Sequence, residues 1–405
     1  MDMQLTARQH DLIDRARTLA LERFAPRAYR FDRDATFPFE DYDDLRDAGF
    51  LGLCVPEEFG GLGANFETYC LVSEQIAKGN ASTALTFNMH CLSMLMMGEL
   101  ADRHPMDDTK RARHQVLRAA KFREVVEDGV FYGQPHSEPV ELGETDKSFG
   151  VGGRRFGTSA KKVDSGYVVN GRKFFVSLSA AADYYATPAL LISDAPWIER
   201  TLYLQVPRAA PGVSFQGEWD PIGMRATVSR DMVLENVFVP DDGEVLPPGM
   251  FGELYVSSAH APLTFSATFL GLMQKAYDDA VAYLIGDLEG APAKSEVSSE
   301  KGHAVAQMLF KLEAARALYY RSISESGLQP TYEIIQRALA AHVTIQQTVV
   351  EVTQTAIRIC GGRAILKRFP LERYARDAHA AAVMRPWTQD IATEEAWKRA
   401  LRLKQ

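Results

Sequence analysis

The sequence predicts an α+β protein of three consecutive domains: a helical N-terminal domain (1–130), a middle antiparallel β-domain (131–245) and a C-terminal four-helix bundle (246–405). Three observations carry this. Phe66, Tyr69, Cys70, Ser73, Ile76 and Ala77 follow i, i+3, i+4 spacing, which gives a helix one face for a core. Between about 131 and 245 the pattern changes to short β-rich runs punctuated by Pro207, Pro211, Pro221 and Pro240, as expected of short strands joined by turns. Beyond about 250 long helical patterns return, and long helices of alternating face pack as a bundle.

The elements follow in order. Pro56 to Ala64 carries a proline and three glycines and reads as a loop. Asn65 is placed to cap the next helix. Ala84 to Leu100 reads as a second helix, with Met89, Met94, Met96 and Met97 filling core gaps. Tyr167 to Val176 reads as two β runs split by a hairpin turn at Asn170-Gly171, since both residues tolerate positive φ. Thr201–Val206, Val213–Phe215 and Met232–Val239 are further strands. In the bundle, Leu263, Ala267, Leu270, Gln274, Tyr277, Val281 and Leu284 share one face, and Val305, Met308, Leu309 and Leu312 begin another. Tyr332 to Ile359 is a long helix stopped at Gly361-Gly362. The polar stretch Glu289–Gly302 reads as an exposed connection.

Composition narrows the function classes. With 405 residues, 46% of them hydrophobic, the chain can bury a sizeable core. A net charge of −8 and no basic stripe argue against a nucleic-acid partner. Lys110-Arg-Ala-Arg113 reads as a solvated helix face. Cys54, Cys70, Cys91 and Cys360 form no CxxC pair and sit among apolar residues, so buried thiols in a reducing compartment are expected. The first residues carry no basic-then-apolar leader, and no apolar run reaches about 18 residues. A cytoplasmic protein with no membrane partner is expected. No metal-spaced His/Cys set, P-loop, GxSxG or strand-borne GxGxxG occurs, so no metal site is expected.

Six segments carry a resemblance. They are Ala48-Gly-Phe-Leu-Gly-Leu-Cys-Val-Pro-Glu-Glu-Phe-Gly-Gly-Leu-Gly-Ala64; Ser137-Glu-Pro139; Gly166-Tyr-Val-Val-Asn-Gly-Arg-Lys-Phe-Phe-Val-Ser177 with Ala181-Ala-Asp183; Asn236-Val-Phe-Val-Pro240; Leu270-Gly-Leu-Met-Gln274; and Cys360-Gly-Gly362 with Pro370-Leu-Glu-Arg-Tyr-Ala-Arg-Asp-Ala378. In this order, over nearly the whole chain, they resemble the acyl-CoA dehydrogenase family. The resemblance implies an FAD cofactor lying between the β-domain and the bundle, partly held by a neighbouring subunit, hence a homodimer or homotetramer. It implies that His136 and Ser137 face the flavin, that Phe175 packs on the isoalloxazine and that Ser177 lies near its N5 side. Gly361 and Gly362, with Arg358 at a family glutamine position, would approach the adenosine end of a partner's FAD. Thr388 matches a threonine near the adenine-side phosphates.

The family reaction removes an α-proton from an acyl thioester with a carboxylate while a β-hydride leaves to the flavin. That carboxylate is missing. Counting from Arg376-Asp377 places Arg385 at its position, and counting back from Thr388 places Pro386 there. The alternative position, thirteen residues before Gln274, is Ala261. The positions that would anchor a CoA thioester hold Ala259 and Pro262, and Glu289–Gly302 replaces the family's Arg-x-x-Phe-Gly pyrophosphate grip. His260, beside Ala261, is the foremost substitute base, since imidazole titrates near neutral pH; His136, Asp390 and Glu253 are further candidates. Three activities follow from the resemblance. The first is α,β-dehydrogenation of a CoA- or carrier-bound acyl thioester, with electrons passed to an electron-transfer flavoprotein. The second is a flavin-dependent monooxygenase on the same fold, served by a flavin reductase and needing no α-proton base. The third is a non-catalytic subunit of a hetero-oligomer.

Overall fold

The computed structural model describes residues 4–138, 157–257, 260–292, 297–384 and 388–401. A helical N-terminal domain, a β-sheet domain and a helical C-terminal domain follow one another along the chain.

The N-terminal helices begin at side-chain caps. Thr6 and Gln9 form a capping box at Ala7–Leu19, and Asn65 caps Phe66–Gly79 by accepting from the Thr68 N–H. The next helix starts earlier than its sequence pattern suggests. Asn80 caps Ala81–Leu95, and the chain then widens into a π-helical segment, Met96–Leu100. Phe66–Gly79 is buried on nearly every side, because it packs against both Ala7–Leu19 and the C-terminal helix Ala261–Ile285. The second contact is backbone against backbone. A Cβ on Gly271 would lie 2.1 Å from the Glu74 carbonyl oxygen and 2.7 Å from the Ala77 Cβ. Gly271→Ala therefore has to separate two core helices, and an unfolding midpoint lower by about 1–3 kcal/mol equivalent is expected in a denaturant titration.

Among the described residues, eight strands form one sheet. They are β1 (Tyr132–Gly133), β2 (Ser159–Val163), β3 (Gly166–Val176), β4 (Tyr184–Leu191), β5 (Thr201–Pro207), β6 (Val213–Gln216), β7 (Arg230–Pro240) and β8 (Glu244–Leu246). Their order is β6-β7-β3-β2-β4-β5-β8, with β1 beside β4. Pairing is antiparallel except for β1 and β2 against β4.

The hairpin expected at Asn170-Gly171 is not there. Both residues lie inside the single strand β3, and the two-residue turn falls at Asp164-Ser165, between β2 and β3. Asn170 instead marks an irregularity in the β3–β7 register, where its Oδ1 accepts the N–H of Asn236, a residue at φ +51°. Gly171 is needed for closeness: a Cβ there would meet the Thr158 side chain at 2.4 Å.

The C-terminal domain is built on Ala261–Ile285, Ser299–Ser324 and Tyr332–Cys360, with Gln389–Ala400 packed on the last of these. The stretch expected to be an exposed connection up to Gly302 is shorter: Ser298 caps the helix and Ser299 onward is its first turn.

Candidate functional site

The β-domain presents a wall of aromatic and hydroxyl groups at one end of β3. The Phe174 N–H donates to the Ser137 carbonyl at 2.8 Å, which holds the segment leaving β1 beside the end of β3. There the β3–β7 register shifts between Lys173 and Val176. Inside this irregularity Phe175 adopts φ +51° and is 64% exposed. A left-handed aromatic residue is uncommon and strained, and such strain clusters at functional sites. Two residues on, the half-buried Ser177 hydroxyl lies 2.9 Å from the Ser229 hydroxyl, itself 2.8 Å from that of Thr227. Ser137, Phe175 and Ser177 are thus brought to one place.

A buried ion pair supports this wall. Lys173 is 0% exposed. Its Nζ contacts the Glu138 carboxylate and donates to the Pro188 carbonyl at 2.7 Å. Glu138 also accepts from the Gly157 and Thr158 N–H groups. Burial lowers the pKa of the Lys173 ammonium, and the Glu138 charge works against that shift. The pair joins the Ser137-Glu138 segment to the middle of β3, one residue before Phe174.

The two histidines stand in different surroundings. His136 lies edge-on to Tyr203 and Phe251, at 6.0 and 5.5 Å between ring centroids. Its Nε2 is buried and meets no hydrogen-bond partner among the described residues. Burial, and secondarily the Lys173 cation, lowers its pKa to about 3. His260 is buried at the start of Ala261–Ile285, edge-on to Phe66 at 6.3 Å. Neither of its ring nitrogens is hydrogen-bonded among the described residues, and burial lowers its pKa to about 4 despite the nearby Gly327 carbonyl and Glu325. Both imidazoles are therefore neutral and weakly basic. Ala261 opens its helix. Arg385, Pro386 and Ala259 lie outside the described residues.

At the far end of Tyr332–Cys360, Gly361 has φ +82° and ψ −172°, a conformation that favours glycine. A Cβ on Gly361 or Gly362 would meet open space among the described residues. The Arg358 guanidinium lies 3.8 Å from the Glu300 carboxylate. Thr388 caps Gln389–Ala400 through its hydroxyl, with Asp390 in the first turn. Glu253 pairs with His104 at 3.0 Å.

Sequence reasoning missed two groupings. Ser266 Oγ lies 2.8 Å from His342 Nδ1, and Gln346 Nε2 is 2.9 Å from His342 Nε2. These residues lie on helix faces otherwise read as core, and nothing in their spacing marks them. The second grouping surrounds Arg376 and Asp377. The buried Asp377 carboxylate accepts the Met224 N–H at 2.5 Å and faces Arg373, Arg376 and Asp32. Burial raises its pKa to about 6 against the pull of the Met224 N–H and Arg373.

The sign of the resulting pH dependence follows. An acid with a raised folded pKa binds more protons folded than unfolded between about pH 4 and 6, so its contribution to stability falls as pH rises through that window. Asp377→Asn removes the titration. Its stability relative to the native chain is expected to rise from pH 4 to pH 6 and then level off, as read by denaturant midpoints at several pH values.

Among the described residues no three His, Cys, Asp or Glu side chains gather as a metal site requires, and no helix is long and apolar enough to cross a membrane.

A helical domain, a β-domain with an aromatic and hydroxyl wall, and a helical bundle together define an acyl-CoA dehydrogenase-like flavoprotein. The N-terminal domain of acyl-CoA dehydrogenases matches residues 6–103, the middle domain 142–237 and the C-terminal domain 263–385. The chain belongs to the acyl-CoA dehydrogenase family. It is 28% identical over 371 residues to the putative acyl-CoA dehydrogenase YdbM of Bacillus subtilis, covering 89% of each chain. Butyryl-CoA dehydrogenase from Megasphaera elsdenii shares the fold with a TM-score of 0.81 at 22% identity, over 99% of this chain and 100% of that one. KijD3 in complex with FMN and a dTDP-linked amino sugar shares it with a TM-score of 0.80 at 24% identity, over 99% of this chain and 95% of that one.

Proposed function

We propose that this chain is a flavin-dependent monooxygenase built on the acyl-CoA dehydrogenase fold, using FAD delivered or reduced by a flavin reductase. One reading of the sequence supports the choice of reaction: counted along the motifs of the resemblance, Ala261, and Arg385 or Pro386, fall at the two family positions for the catalytic carboxylate. Taking an α-proton from a thioester needs a base whose pKa approaches that of the task. Burial lowers His260 to about 4 and His136 to about 3, away from the raised value that such a base needs. A hydroxylation by reduced flavin and O₂ needs no such base. The same fold in KijD3 accompanies FMN and a sugar nucleotide, so the architecture does not require a CoA thioester.

The residues present suit a flavin. Phe175 offers an exposed ring, Ser177 a half-exposed hydroxyl, and His136 a buried Nε2 with no partner among the described residues. His136, Ser137, Phe175 and Ser177 would hold the isoalloxazine end. The open Gly361-Gly362 backbone, with Arg358 and Thr388, would serve the adenosine diphosphate end of FAD bound to a second copy. A bound flavin supplies the two-electron redox chemistry. The chain supplies the rest. Phe175 gives the ring a flat apolar face, and the Ser137 segment, pinned to Phe174, offers backbone polar groups. Tyr203 and Phe251, both fully buried and stacked at 4.6 Å, exclude water behind His136.

A second reading, dehydrogenation of an acyl thioester with transfer to an electron-transfer flavoprotein, is favoured by what YdbM and butyryl-CoA dehydrogenase are named for. It requires a base from outside these positions. The two separate in one experiment. The FAD-loaded protein is mixed anaerobically with butyryl-, octanoyl- and palmitoyl-CoA. No bleaching of the flavin, with oxygen uptake once a reductase and NADH are supplied, is the expected result; bleaching by any of the thioesters overturns the monooxygenase reading.

A further inference from the structure

We infer that Ser177 presents its hydroxyl oxygen to the flavin as a hydrogen-bond acceptor only, because a relay of buried hydroxyls already takes its proton. The inference rests on the flavin reading above and adds how this wall discriminates between redox states.

The relay consists of three contacts. Thr227 Oγ1 lies 2.9 Å from the Met224 carbonyl oxygen, the Thr227 and Ser229 hydroxyls are 2.8 Å apart, and the Ser229 and Ser177 hydroxyls are 2.9 Å apart. Each hydroxyl has one proton. The carbonyl can only accept, so Thr227 donates to it. Ser229 must then donate to Thr227, and Ser177 to Ser229. This is the one arrangement in which three protons make all three contacts; reversing it leaves the carbonyl contact unmade. Thr227 and Ser229 are buried, so water does not compete for these protons. Ser177, half-buried, is left with its lone pairs free to accept.

The loop that delivers the relay is built against its own preference. Met224 and Val228 adopt φ +53° and +45°, costly for side chains of this size and most of all for a β-branched valine. It is held from both sides. Asp377 accepts the Met224 N–H, Arg376 donates to the Ile222 carbonyl at 3.0 Å, and Arg225 donates to the Asp32 carbonyl at 2.9 Å. Toward the wall, the Leu178 and Ser179 N–H groups donate to the Thr227 and Val228 carbonyls, each at 3.0 Å. Gly223 is pressed onto the Arg376 backbone, where a Cβ would lie 2.3 Å from the carbonyl oxygen. The C-terminal domain thereby sets the position of a hydroxyl pair that ends at Ser177.

An acceptor suits the reduced flavin. Two-electron reduction adds an N–H to the central ring that the oxidised form lacks, so an acceptor-only serine favours the reduced state and a donor favours the oxidised one. One hydrogen bond gained or lost corresponds to about tenfold in relative affinity for the two states, or about 30 mV for a two-electron couple.

The test measures the midpoint potential of bound FAD by equilibration with a redox dye, for the native protein, Ser229→Ala, Thr227→Val and Ser177→Ala. Ser229→Ala and Thr227→Val free the Ser177 proton to turn outward, so the reduced form is expected to lose about tenfold in relative affinity and the potential to fall by about 30 mV. Ser177→Ala removes the acceptor and is expected to lower it as well. Unfolding midpoints alongside separate this from a packing role, which would lower stability without moving the potential. An unchanged or raised potential in Ser229→Ala and Thr227→Val overturns the relay alone. Failure of the native protein to bind any flavin overturns the flavin reading and the relay with it.

Discussion

Lys173→Met is expected to cost about 3–5 kcal/mol of stability and to abolish flavin retention. The ammonium is wholly buried against Glu138, whose side chain is 6% exposed. Removing the cation leaves a carboxylate buried with two backbone N–H donors and no other counter-charge among the described residues, and breaking a buried pair from one side costs about that much. Since a folded domain is stable by only about 5–15 kcal/mol, the loss is a large share of the total. The flavin effect follows from position. Glu138 adjoins Ser137, and Lys173 is two residues from Phe175, so an uncompensated charge pulls apart the two segments that make the wall. Adding Glu138→Gln to Lys173→Met is expected to recover part of the loss, because the buried charge is then gone. Denaturant titrations of the two variants check both statements; a loss below about 1 kcal/mol in the single variant contradicts them.

Arg376→Ala is expected to have an effect of similar size for a different reason. Its guanidinium grips the Asp32 carboxylate with two bonds of 2.9 and 2.6 Å and the Glu372 carboxylate with two of 2.7 and 3.0 Å. It also donates to the Ile222 carbonyl. Burial opposes the charge, yet the bonds to Asp32 and Glu372 outweigh it and raise the pKa above the usual arginine value. One side chain therefore ties the N-terminal helix Ala25–Asp34, the 222–225 loop of the β-domain and the helix Leu371–Ala378 together. Truncation strands the Asp32 carboxylate, 4% exposed, at about 3–5 kcal/mol. Arg376→Lys keeps the charge but not the planar fork, and is expected to recover less than half of that. Equal stabilities for native and Arg376→Ala proteins would contradict this reading.

The helical ends of the chain were legible because their signal is periodic and local. Asn65 caps as its position suggests, and the stripe beginning at Phe66 is buried. The β-domain was less legible, because a turn dipeptide reports conformational freedom, not the use made of it. Asn170-Gly171 serves a register irregularity and a close approach to Thr158, while the real turn at Asp164-Ser165 carries no glycine. Strands β2 and β4 were missed: β2 is half lysine-rich surface, and β4, buried along nearly its whole length, lacks the alternation that marks a two-faced strand. In the candidate site, the Phe174 N–H bond to the Ser137 carbonyl brings the Ser137 segment beside the end of β3 that carries Phe175 and Ser177. The Ser177–Ser229–Thr227 relay was not legible, since residues 52 positions apart meet only through the β3–β7 pairing.

The wall of Ser137, Phe175 and Ser177 is proposed to bind a flavin. Titration of FAD fluorescence with the native protein and with Phe175→Ala tests it most directly. Phe175 is largely exposed, so its truncation is expected to leave the unfolding midpoint of the flavin-free protein within about 0.5 kcal/mol, while a lost aromatic stacking contact weakens FAD binding about tenfold. Equal FAD affinity in the two proteins, or no binding by the native one, would contradict flavin binding at this wall.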